Sequence, residues 1–112
     1  MSRSYEMQVE ITGLDPSRKG TVKEATESEW PFEGWFRDTN TLIASGTDNL
    51  WAGESEKEFA TRLTCAIWKA NGKFCSVKVR ATYLEELPYE EYGFDESKYT
   101  EFLSAINKPA PS

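Results

Sequence analysis

The sequence predicts an α+β fold: a mostly antiparallel twisted sheet of about four strands, packed by one main helix over residues 55–71 and a short C-terminal helix over residues 96–106. Three observations predict it. Residues 5–12 alternate apolar and polar side chains with a period of two. Residues 75–83 repeat that pattern. Between them, a helix start signal at Ser55 opens a run of apolar residues at helical spacing. At 112 residues the chain has room for one core, so residues 1–107 are read as a single domain and 108–112, rich in Pro, as a frayed tail.

Taken in order, Tyr5, Met7, Val9 and Ile11 alternate with Glu6, Gln8, Glu10 and Thr12, the pattern of a strand with one wet face. Gly13-Leu14-Asp15-Pro16-Ser17 ends it, because Pro16 fixes φ and the Asp15 carboxylate can close a turn. Residues 21–29 suit either an exposed strand or a short helix. A strand is expected there, since a hairpin return is the shortest connection. Residues 32–37 and 41–45 read as a hairpin through Asp38-Thr39-Asn40, and 46–49 as a loop from which Leu50-Trp51 packs back onto the sheet.

Ser55-Glu56-Lys57-Glu58 is a capping box, with the serine oxygen and the Glu58 carboxylate each satisfying a backbone N–H of the first turn. Phe59, Leu63, Ala66, Ile67 and Ala70 then form one apolar stripe, which Asn71-Gly72 terminates at a left-handed cap. Cys75, Val77, Val79, Ala81 and Tyr83 form the apolar face of the second strand. Leu87-Pro88 breaks that strand, and residues 89–94 are read as an aromatic, acidic surface loop. Asp95 then caps a helix carrying Tyr99, Phe102, Leu103 and Ile106 on one side.

Charge and composition exclude several function classes. Acidic side chains outnumber basic ones 19 to 13, for a net charge of −6, so neither nucleic-acid binding by counterion release nor docking on anionic lipid is expected. No stretch of 18 apolar residues suggests a membrane span, no leader pattern is visible, and two cysteines without an Asn-x-Ser/Thr site suggest reduced thiols and a cytoplasmic setting. The chain contains no histidine, which removes Ser-His-Asp, Cys-His and His-ligated zinc chemistry. No Gly-rich phosphate loop is present. Asp38-x-Asn40 opens like a calcium loop, but Leu42 and Ile43 stand where a polar ligand and a glycine are required. The carboxylates Glu85, Glu86, Glu90, Glu91, Asp95 and Glu96 read as a solvated rim beside a helix start rather than a catalytic pair or metal site. Neither enzyme activity nor a cofactor is expected.

What remains is recognition. On a helical wheel Trp68 lies roughly 140° from the Phe59/Leu63/Ile67 stripe, at 100° per residue, so it is either covered by another element or left as an anchor. Tyr89, Glu90, Glu91, Tyr92 and Phe94 join aromatic area to negative charge and suit a basic protein partner, with Trp68 and Tyr83 as secondary anchors. The leading expectation is a non-catalytic protein-interaction module whose oligomeric state, monomer or homodimer, is open. The alternatives are a small-ligand or carbohydrate binder built on Trp30, Trp35 and Trp51, or a nucleic-acid mimic that occupies another protein's DNA site. Cys65 and Cys75 read as structural thiols, Cys75 buried and Cys65 on the outer side of its helix.

Overall fold

A strand with alternate apolar residues can bury only one of its faces, and β1 (Arg3–Thr12) does so at the centre of the sheet. The computed structural model describes residues 3–38, 40–50, 54–84 and 89–107. After β1 come a 3-10 turn (Pro16–Arg18), α1 (Lys19–Glu29), β2 (Glu33–Arg37), β3 (Thr41–Leu50), α2 (Glu56–Asn71), β4 (Ser76–Tyr83), β5 (Tyr89–Phe94) and α3 (Glu96–Asn107). The strands form one antiparallel sheet in the order β2-β3-β1-β4-β5. Up to β4 the path is βαββαβ: α1 carries the chain past β3 to β2, and α2 carries it past β1 to β4. That connectivity is the split βαβ, ferredoxin-like arrangement, extended here at the β4 edge by β5 and α3.

Register follows the apolar pattern. Tyr5, Met7, Val9 and Ile11 lie opposite Tyr83, Ala81, Val79 and Val77, and the Tyr5 and Tyr83 rings stack at 5.1 Å. On the other side Ile11 and Val9 face Leu42 and Ala44 of β3. These side chains form one core with Val22 of α1 and Phe59, Leu63 and Ile67 of α2. The opposite sheet face carries Glu6, Gln8, Glu10, Ser45, Lys78 and Arg80, and none of the described helices covers it. The capping box at Ser55 is formed in both directions, at 3.1 Å and 3.0 Å, and Gly72 ends α2 with φ 78.

Four expectations require correction. The sheet has five strands. Residues 19–29 are a helix, because burial there falls at Val22 and Thr26, one turn apart, and Lys23 pairs with Glu27 at 3.2 Å along the same axis. Residues 46–49 continue β3, where their backbones pair with residues 4–7 of β1. Residues 89–94 form β5 rather than a loop, with Phe94 opposite Val77 and Tyr92 opposite Val79. The hairpin between β2 and β3 forms as expected, although its central Thr39 lies outside the described residues, as do Trp51 and the Leu87-Pro88 break.

Gly46 explains how β3 passes beneath the α1–β2 connection. The Trp30 indole N–H donates to the Gly46 carbonyl at 2.8 Å, and a Cβ on Gly46 would run into the Pro31 carbonyl, with the Phe32 Cα at 3.1 Å. Backbone sits where a side chain would have to go. Gly46→Ala should therefore lower stability in urea unfolding by about 2 kcal/mol. Gly20→Ala, where a Cβ meets nothing within 4 Å, should leave the midpoint unchanged or slightly raised. Equal midpoints for wild type and Gly46→Ala would contradict this close approach.

Candidate functional site

The sequence-nominated residues do not form one surface. Trp68 is 3 % exposed and belongs to the interior, so it is not a surface anchor. Its indole N–H donates to the Cys75 carbonyl at 2.8 Å, and its ring meets Phe74, Phe94, Tyr99 and Phe102 at 5.1 to 6.3 Å between centroids. Two of these four rings, Tyr99 and Phe102, come from α3. Phe94 is likewise buried, and Tyr83 is half-buried against Tyr5. Tyr89 is 49 % exposed, Glu90 and Glu91 are exposed, and Tyr92 is half-buried with its hydroxyl donating to Glu56 Oε1 at 3.1 Å. Burial, and then the Glu56 carboxylate, push the Tyr92 phenol above its usual range.

Alternation divides β5 between two faces. Tyr89 and Glu91 project on the uncovered sheet face, where Arg80 lies 4.4 Å from the Tyr89 ring centroid and 3.5 Å from the Glu91 carboxylate. Glu90 and Tyr92 project on the helix side, and Glu90 makes no ion pair among the described residues. The two edges of the sheet differ. β2 is interrupted by a register shift between Glu33 and Phe36, with Gly34 at φ 68, and so offers no regular ladder. β5 pairs with β4 in continuous register over all six of its residues. Among the described strands it is the regular edge.

A second feature lies beside it. Lys57, Thr61, Thr64 and Trp68 recur on α2 at i, i+4, i+7 and i+11, a stripe distinct from the core stripe. Together with Tyr92 and Phe94 of β5 and Lys98, Glu101 and Phe102 of α3, they line a groove of about 420 Å³, a volume typical of small-molecule pockets. Thr64 is fully buried, and its Oγ1 has no hydrogen-bond partner among the described residues, a state that ordinarily costs about 1–3 kcal/mol. Lys98 is held in place: its ammonium donates to the Gly93 carbonyl at 2.8 Å and sits 5.0 Å from the Phe94 ring centroid. Lys57 is exposed and makes no ion pair among the described residues. The sequence carries one signal for this groove: Lys57, Thr61, Thr64 and Trp68 make a second stripe on the helix that carries the Phe59/Leu63/Ile67 stripe.

The remaining aromatic group is divided. Trp30 is buried against Phe59, with ring centroids 5.0 Å apart, and cannot present a stacking face. Trp35 is half-buried on β2, where its N–H donates to Glu27 at 3.0 Å and Lys23 lies 5.6 Å from its ring centroid. Among the described residues no three Cys, Asp or Glu side chains converge as metal ligands would, and no helix is long and apolar enough to cross a membrane. Comparison with known proteins gives no relative: no protein-family model, no curated protein and no solved structure matches the chain.

The thiols differ in surroundings. Burial pushes Cys75 up to about 12, and desolvation also raises Cys65, partly offset by the nearby Lys69. Native Cys75 should therefore resist alkylation at neutral pH, and Cys65 should react more slowly than a free thiol but faster than Cys75. The unfolded chain releases the Cys75 proton near pH 9 while the native chain holds it until about pH 12. Its contribution to stability is then complete below pH 9 and is lost as pH rises through that window. Urea unfolding from pH 8 to 10.5 should show stability falling, with a shallower slope in Cys75→Val. Equal labelling of both native thiols, or no alkaline slope, would count against this assignment.

Proposed function

We propose that this chain is a non-catalytic protein-interaction module that recognises a basic, extended partner segment by adding it as a strand to the free edge of β5. The supporting observation is the contrast between the two sheet edges, one bulged at Gly34 and one regular and flanked by Tyr89, Glu90 and Glu91. Strand addition draws affinity from main-chain hydrogen bonds and specificity from alternate side chains. Here those side chains meet Glu90 on one face and the Tyr89–Arg80–Glu91 group on the other. Lysine or arginine residues on the incoming strand complement both carboxylates. A second copy of the chain does not, since edge-to-edge pairing would set four carboxylates along one seam in an assembly where each copy carries −6. A nucleic-acid mimic is less well supported, because Glu6 and Glu10 on the open face are interleaved with Lys78 and Arg80.

A comparative pull-down tests the reading. Proteins captured by wild type and lost by Glu90→Lys/Glu91→Lys should share a Lys/Arg-rich segment able to form a strand, and their association should slow with added salt. Both side chains are exposed, and the Glu91–Arg80 pair lies at a long distance, so the unfolding free energy should change by about the value of a surface pair, roughly 0–1 kcal/mol. Glu90→Lys alone, which breaks no ion pair, should already weaken capture. Capture that survives both changes would refute β5 as the recognition edge.

A further inference from the structure

We propose that the groove between α2 and α3 is a binding site for a small amphipathic monocarboxylate, an apolar chain or ring that ends in one anionic group. The inference does not rest on the β5 reading: Tyr92 and Phe94 of β5 line the groove, but the side chains invoked for strand addition, Tyr89, Glu90 and Glu91, do not. Three features of the groove specify this chemistry. Its walls are apolar, formed by Trp68, Phe94 and Phe102, so the body of the ligand is apolar. Its charged lining is Lys57 and Lys98 against the single carboxylate of Glu101, a positive balance in a chain of net charge −6, so the polar end is an anion. Lys98 already occupies a face of Phe94, so a cationic ligand would meet like charge where it would seek an aromatic ring.

The described residues leave this space open. The backbones of α1 and α2 run close together, whereas α2 and α3 meet through the side chains of Trp68, Tyr99 and Phe102. Thr64, in the lining between Lys57 and Trp68, keeps a hydroxyl that no described residue engages. That hydroxyl is a spare donor beside the two lysines of the lining. The arrangement is a polar donor and two ammonium groups along an aromatic trough.

Octanoate is the probe, with n-octylammonium as its charge-reversed control, and the Cys65 thiol in the groove lining reports occupancy. If only the free protein reacts, octanoate at about ten times its dissociation constant should slow Cys65 alkylation about tenfold. n-Octylammonium should give no comparable protection. Lys57→Glu removes a side chain that makes no ion pair among the described residues, so the melting temperature should hold while octanoate protection is lost. Amide shifts at Thr64 and the Trp68 indole should move with octanoate in the wild type only. No protection by octanoate, equal protection by both amphiphiles, or protection unchanged in Lys57→Glu would each overturn the proposal. None of these outcomes bears on capture through β5.

Discussion

One covered sheet face sets the terms for the rest of this molecule. Strands lie about 4.8 Å apart and a helix with its side chains is about 10–12 Å across, so two helices roof about four strands and a fifth strand lies at the limit of their cover. β1 is central and paired on both sides, and its apolar row of Tyr5, Met7, Val9 and Ile11 fixes which face is inside. The apolar rows of β3 and β4 that lie beside it must then be closed from that same side. α1 and α2 pack against each other and are tied by Arg62, which engages Glu29 and holds Glu54 at 3.0 Å. The strand added after β4 needs a further cover, which α3 supplies, and the seam between α2 and α3 is where the groove lies.

Trp68 makes that seam possible. A tryptophan off the core stripe of an amphipathic helix would be an exposed apolar group if α2 stood alone. Here its indole N–H is satisfied by the Cys75 carbonyl at 2.8 Å, and its ring serves as the anvil for Tyr99 and Phe102 of α3. Aromatic pairs of this kind contribute about 0.5–1.5 kcal/mol each beyond the area they bury. The side chain that attaches α3 is also one wall of the groove, so attachment of the extension and the shape of the groove are one feature.

Legibility in the sequence followed the strength of local signals. β1, β4 and α2 were readable because their alternation, capping box and glycine cap are written in adjacent residues. α1 was misread because its buried face is only Val22 and Thr26, and its charged remainder fits either state. β5 was misread for a related reason: a short edge strand with acidic residues on both faces lacks the apolar row that marks an interior strand. The wheel placed Trp68 correctly off the stripe, but what covers it arrives some thirty residues later, at Tyr99 and Phe102. Gly46 looked like turn chemistry because the reason for glycine there is the Pro31 backbone crossing above it, a long-range contact with no local trace. For the candidate site, exposure of Tyr89, Glu90 and Glu91 was legible and the groove was not, because it exists only where three separate elements meet.

The position of Glu90 and Glu91 has two physical consequences that reinforce each other. An unpaired regular edge is a template for unwanted strand pairing, and charged side chains on it are a common protection. β2 is protected differently, by its bulge at Gly34, which spoils the ladder for every partner alike. Carboxylates protect selectively. They oppose pairing with another copy of this acidic chain or with any acidic strand, and they leave the ladder open to a strand that brings compensating cations. A bulge gives no such selectivity, and this contrast between a regular acidic edge and a bulged one is why β5 rather than β2 carries the functional proposal.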